Sequence, residues 1–301
     1  MCRQAALGLS LAVALLSSPS LAACPPTHLL TFGPSRAQAL AVGADGNVYA
    51  LMLYGSVKVY GADGALLRTW GSYGFAPGQF DEPHDLAVDG QGYVYVTDRF
   101  HALQKFTSTG TLVSQWNVSR GCTISIDGMT PISVAVDAAG NVYTLAGYTC
   151  SVEKRTSSGT PLLSFGSCGN GPGQFHGCDD YAMAIDRQGF VYVSEYWTGR
   201  VFKFTTGGAY VGVLGPFQLP VDVAVDGNGT LYVLEEYGHV RTMAGDGTIQ
   251  CEWDPDDGGV SLAGGPADDI YIAGNTRIAK FGDLATPASR PAWGRLKTLY
   301  R

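Results

Sequence analysis

Two aspartates recur in register in this sequence, and recurring carboxylates are where chemistry is looked for first. They are Asp85, in Pro83-His84-Asp85-Leu86, and Asp222, in Pro220-Val221-Asp222-Val223. Superposing the repeating units brings Ala39, Asp85, Ser133, Ala182, Asp222 and Ser261 to one position, with Gln38, His84, Ile132, Tyr181, Val221 and Val260 just before it. An inner strand's end is a costly place for an unpaired carboxylate. Either Asp85 and Asp222, with His84 and Tyr181 beside them, hold a cation, water or small polar ligand, or each accepts hydrogen bonds from adjacent backbone.

A further acid recurs just after a Tyr-x-x sequence, as Asp98, Glu195 and Glu235. Such acids either anchor a neighbouring loop or make an acidic face for Ca²⁺, a hard cation that takes about six to eight oxygens. Tyr54, Phe100, Tyr148, Tyr196, Trp197 and Tyr237 fall in the loops that follow, and aromatics crowded on one face form a binding platform. Nucleophilic catalysis finds no support: there is no Gly-x-Ser-x-Gly elbow, phosphate-cradling glycine loop or His-Glu-x-x-His, and His28, His84, His101, His176 and His239 are scattered.

The elements that hold these residues are short strands in sets. The second strand of each set carries an aliphatic-Tyr pair: Val48-Tyr49, Val94-Tyr95, Val142-Tyr143, Val191-Tyr192, Leu231-Tyr232 and Ile270-Tyr271. Units of about 40 to 50 residues, each four strands long, predict an all-β fold, a six-bladed β-propeller. Asp- and Gly-rich turns separate the strands, at Asp45-Gly46, Asp89-Gly90, Asp137, Asp186 and Asp226-Gly227. Trp70, Trp116, Phe165, Leu214 and Trp253 close the outer strands of units one to five. The sixth lacks an outer strand after Phe281, and His28-Leu29-Leu30-Thr31-Phe32-Gly33 has the pattern to supply it from the N-terminal end. Asp85 and Asp222, in blades two and five, then face each other across the ring.

Gly78-Gln79-Phe80 leading to Leu86-Ala87-Val88-Asp89, its copy Gly173-Gln174-Phe175 leading to Met183-Ala184-Ile185-Asp186, and Gly199-Arg200-Val201-Phe202-Lys203-Phe204 resemble NHL repeats over residues 28–283. Units one, five and six lack the Gly-Gln-Phe. The resemblance implies a six-bladed propeller. Amidating lyases built on this repeat carry zinc-binding histidines at the first inner-strand position, where only His84 matches, and one histidine does not make a three-ligand catalytic zinc site. RNA-binding NHL domains use a basic face, whereas this chain has net charge -7 and no basic run inside the units, so nucleic acid is not an expected partner.

The chain divides into a targeting segment (1–23), the propeller (24–283) and a basic tail (284–301). Arg3, the apolar run 5–16 and the Ser-Pro break before Ala22-Ala23 read as a signal peptide, too short for a transmembrane helix. Secreted or periplasmic protein is expected; Leu21-Ala22-Ala23-Cys24 also resembles a lipobox, the alternative being a lipid anchor on Cys24. Removing Cys2 from seven cysteines leaves six, an even number that suits disulfides and allows fifteen pairings. Loop positions favour Cys168–Cys178 and Cys122–Cys150, leaving Cys24 and Cys251. The tail carries Arg290, Arg295, Lys297 and Arg301 and no acid, and either packs on the acidic ring or docks a partner.

The sequence therefore predicts an exported monomeric binding scaffold, without a cofactor apart from a candidate Ca²⁺, that meets a protein or small polar ligand through its loop face. The alternative is a metal-assisted lyase or lactone hydrolase with an acid-lined central site.

Overall fold

Alternating apolar residues rich in Val, Tyr and Phe make pleated segments with one face to bury on each side, and ring closure of such sheets covers both. The computed structural model describes residues 24–33, 37–98, 102–116, 133–146, 150–176 and 182–282. They form six four-stranded antiparallel sheets, the blades of an all-β propeller. Blades one to five span 37–70, 83–116, 133–165, 183–214 and 220–253, each running from inner to outer strand in chain order. In blade six the order is Ser261–Gly264, Asp269–Ala273, Ile278–Gly282 and then Thr27–Phe32, which pairs antiparallel with Ile278–Gly282 from Thr27 opposite Gly282 to Phe32 opposite Ile278.

The second strands are the driest, with all five residues buried in Val94–Asp98, Leu231–Glu235 and Asp269–Ala273. Their tyrosines are buried too, and a buried phenol needs a partner. The turn aspartates supply it: Tyr95, Tyr143, Tyr192 and Tyr232 donate to Asp89, Asp137, Asp186 and Asp226 at 3.0, 2.9, 3.1 and 3.1 Å. The other oxygen of Asp89 accepts the Gln91 and Tyr93 amides, both at 2.9 Å, so one carboxylate shapes the turn and locks the tyrosine behind it. Burial pushes the Tyr95, Tyr143 and Tyr192 phenols well above their ordinary range, with the neighbouring carboxylate adding to the effect.

Hydrophobic clusters lie between blades. Leu51, Val57 and Trp70 of blade one pack with Phe80, Val96 and Phe106 of blade two and its lead-in, and equivalent clusters join the other neighbours. Two contacts recur at these joints. First, the last apolar residue of an outer strand covers a glycine in the next blade's outer turn: Phe32 on Gly64, Trp70 on Gly110, Trp116 on Gly159, Phe165 on Gly208 and Leu214 on Gly247. Gly110, at φ 88°, has no room for a Cβ against the Trp70 indole. Second, a phenylalanine from the lead-in loop plugs the gap between the preceding outer strand and the blade's third strand. Phe80 and Phe175 are fully buried and Phe217 nearly so. Phe80 meets Trp70 and Phe106 at ring-centroid distances of 6.3 and 5.5 Å, and Phe175 meets Phe202 and Phe204 at 5.3 and 5.8 Å. The glutamine before each of the first two folds the loop, Gln79 accepting the Ala76 amide at 3.1 Å and Gln174 the Gly171 amide at 2.9 Å.

The disulfides correct the expected pairing. Cys150 is bonded to Cys168 and Cys24 to Cys251, with Cα separations of 4.9 and 5.5 Å, so neither Cys168–Cys178 nor Cys122–Cys150 forms. The reason is the joint between blades. Cys150 sits at the corner between second and third strands that Gly55 occupies in blade one, and the Gly55 corner lies against Tyr73 in the lead-in to blade two, a place that Cys168 takes in the lead-in to blade four. Pairing within one loop misses a contact that crosses blades. With its sulfur on Cys251, Cys24 has none for a lipid thioether, so this bond and lipid anchoring exclude each other. Cys122, Cys178, Tyr181, Phe100, Tyr148 and residues 1–23 and 283–301 lie outside the described residues. Among the described residues no helix is long and apolar enough to cross a membrane, and the two bonds suit an oxidising, exported setting.

Candidate functional site

The inner strands of blades two and five are built alike where they carry their aspartates. Each is preceded by a non-glycine residue in the left-handed region, Glu82 at φ 52° and Leu219 at φ 51°, followed by Pro83 or Pro220. Each then loses register with its neighbour, between Pro83 and Leu86 and between Pro220 and Asp222. A bulge of this kind re-aims a side chain. Here it turns the carboxylates sideways along the ring. Asp85 accepts the Leu86 amide at 2.8 Å on one oxygen, and the Ser133 hydroxyl and Val134 amide of blade three at 2.8 and 2.9 Å on the other. Asp222 accepts the Val223 amide at 2.8 Å and the Leu262 amide of blade six at 2.7 Å. Ser261, which also bonds Asp222, accepts the Leu40 amide of blade one at 3.1 Å.

Both acids are therefore inter-blade ties. Both also hold their protons unusually well. Burial pushes the Asp85 carboxyl up to about 6 against the pull of its three hydrogen bonds. Burial pushes Asp222 up to about 7, with the charge of Asp85 adding to the effect. Each residue keeps some exposed surface, but its carboxyl group is enclosed by protein, and that enclosure sets the cost of ionisation. The two carboxyls sense each other, so their titrations belong to the pair. His84, partly buried, precedes Asp85 on the same strand and has contacts of its own.

Asp98, Glu195 and Glu235 are buried at the ends of their second strands. Each accepts a backbone amide from the loop entering its blade: Asp81 to Asp98 at 2.6 Å, His176 to Glu195 at 2.5 Å and Gln218 to Glu235 at 2.8 Å. They hold the lead-in loops. Two of their partners were not foreseen from the sequence: Arg200, 2.5 Å from Glu195, and Arg241, 3.4 Å from Glu235 and 3.1 Å from Glu252. An arginine five or six residues after the acid, at the start of the third strand, is the signal that points to them. Among the described residues no group of three His, Cys, Asp or Glu side chains converges as a metal site.

Antiparallel pairing places the lead-in loops and the corners between second and third strands on one face of the ring. Tyr54, Trp197 and Tyr237 stand on these corners in blades one, four and five and are 69%, 67% and 93% exposed. Tyr196 and Trp197 pack edge to face at 5.0 Å. Tyr73 and Phe75, on the lead-in to blade two, form a second exposed edge-to-face pair at 5.9 Å that the sequence did not single out. The opposite mouth of the channel is a recess of about 220 Å³ lined by inner turns from all six blades. Four turn aspartates there, Asp89, Asp137, Asp186 and Asp226, are engaged with tyrosines.

No family model matches the chain, and no curated protein is similar to it in sequence. Its fold is similar to that of several solved structures. A streptogramin B lyase shares a TM-score of 0.59 at 14% identity over 87% of this chain and 86% of that one. A virginiamycin B lyase from Staphylococcus aureus gives 0.55 at 13% identity over 84% and 85%, and a catalytically inactive histidine-to-alanine variant of that lyase with quinupristin gives 0.57 at 13% over 88% and 89%. At such identity the likeness concerns architecture alone, and the architecture held in common is the β-propeller.

Proposed function

We propose that the chain is an exported, monomeric binding scaffold of NHL type, working without a cofactor and taking a protein or small polar ligand on its loop face. One observation carries this reading: three aromatic residues on equivalent corners are each at least two-thirds exposed on a single face. An isolated exposed aromatic needs no explanation, but a set on rigid corners of one face gives large contact area at small entropic cost. We take His84, Asp85 and Asp222 as the centre of this face, with Tyr181 assigned to it from the sequence alone, while Asp98, Glu195 and Glu235 hold the loops around it. Peptide and glycan arrays probed with the exported protein test the proposal. Ligands found on either array are expected to lose at least tenfold in affinity with Tyr54→Ser/Trp197→Ser/Tyr237→Ser, at unchanged melting temperature. Binding that is indifferent to this triple change removes the loop face from the reading.

A lyase or lactone hydrolase is the second reading, favoured by two carboxyls that take up protons near neutral pH on a fold similar to that of structures described as lyases. A stoichiometric transition metal in the purified protein, lost in His84→Ala, supports it. For Ca²⁺, Asp85→Asn/Asp222→Asn is decisive: calcium titrations equal to wild type exclude a central cation site.

A further inference from the structure

The joint between blades five and six lacks both of the contacts that recur along the ring. Trp253 ends the outer strand of blade five, in the place of Trp70, yet among the described residues no outer turn of blade six comes to cover it, the third strand being described to Gly282 and the outer strand from Thr27. The lead-in Asp254-Pro255-Asp256-Asp257-Gly258-Gly259 has no counterpart of Phe80, Phe175 or Phe217. A cavity of about 530 Å³ lies where the missing groups would be. Trp253, Phe281 and His28 form its aromatic wall, His28 meeting Phe281 edge to face at 5.3 Å, while Asp254, Asp256, Asp257 and Arg277 lie along its rim, Asp257 accepting the Thr276 and Arg277 amides and Asp254 pairing with His239. The Trp253 indole N–H is buried there with no acceptor among the described residues.

We propose that this cavity is the seat of the chain's own C-terminal segment, with the Trp293 ring as the missing plug. The chain leaves the third strand of blade six at Gly282, beside Phe281 in the cavity wall. Trp293 lies eleven residues further on, a reach of up to about 3.3 Å per residue, far more than the cavity needs. Arg290 and Arg295 flank it, and from residue 284 onward the segment has four basic residues and no acid. Their charge is complementary to that of the rim, where Asp256 is exposed and the Asp254 side chain is 81% exposed. An aromatic ring with cationic flanks suits an aromatic slot whose exposed rim charges are Asp254 and Asp256. The other five joints are each capped by a turn of the chain itself, which favours a tethered occupant over a free ligand.

The test uses the full-length exported protein. Trypsin is expected to cut after Arg295 and Lys297, the sites not followed by proline, at least tenfold more slowly in wild type than in Trp293→Ala, with Asp254→Asn/Asp256→Asn in between. In parallel, p-benzoylphenylalanine at position 293 is expected on irradiation to give a product of monomer mass, joined to peptides that contain Trp253 or Phe281. Equal cleavage in wild type and Trp293→Ala overturns the proposal. So does a cross-link elsewhere on the chain, a product of dimer mass, or no product.

Discussion

Asp85 and Asp222 show what a carboxylate costs and contributes on the inner ring. Their folded pKa values lie above the ordinary carboxyl value, so the folded chain binds protons more tightly than the unfolded one. The contribution to stability is fully present below about pH 4 and is lost as pH rises through about 6 and 7. Its size is at most about 3 kcal/mol for Asp85 and about 4 kcal/mol for Asp222. Chemical denaturation between pH 4 and 8 is expected to show wild-type stability falling over that window. Asp85→Asn/Asp222→Asn should flatten the fall, and an identical pH slope in the variant would mean that these two acids do not titrate there. The tyrosine locks give a simpler expectation. Tyr95→Phe removes the donor to a buried Asp89 oxygen, and a loss of about 1 to 3 kcal/mol should appear in urea melts.

Strands and plugs carry the next level. Removing residues 24–33 deletes the outer strand of blade six and bares the edge of Ile278–Gly282. Loss of soluble monomer is expected on gel filtration, and an unchanged melting temperature would deny that strand any part in closure. Phe80→Ala empties a fully buried plug beside Trp70 and Phe106, at a cost of about 3 to 5 kcal/mol. At this level the sequence was readable. Aliphatic-Tyr pairs marked the second strands, Asp-Gly turns their boundaries, and an apolar pattern at residues 28–33 the outer strand of the last blade, because each is a local rule repeated several times. What stayed hidden depends on the neighbouring blade. Gly-Gln-Phe was visible as a motif, but its phenylalanine acts as a plug only against the preceding outer strand. The sideways bonds of Asp85 to Ser133 and Val134, and Cys150 meeting Cys168, likewise join residues that no periodicity sets side by side.

For the whole molecule, the two disulfides are of unequal reach. Cys150–Cys168 spans 18 residues, whereas Cys24–Cys251 spans 227 and encloses nearly the entire ring. In the chain-entropy account the longer bond restricts the unfolded state by about 5 kcal/mol. Mass spectrometry of the unreduced exported protein should find both bonds, and Cys24→Ser/Cys251→Ser should lower the melting temperature more than Cys150→Ser/Cys168→Ser. A thioether-linked lipid on Cys24 in place of the first bond would reverse that order.

The longer bond also decides how the molecule bears tension. Pulled by its N-terminal end, a reduced chain would unzip Thr27–Phe32 from blade six one backbone bond at a time, the weakest way to load a sheet. In the oxidised chain the force passes through sulfur into Ile249–Trp253, in the body of blade five, and the strand that completes the ring is left slack. Tethered at that end, the oxidised protein resists being drawn open; the reduced one has only a zipper to hold it.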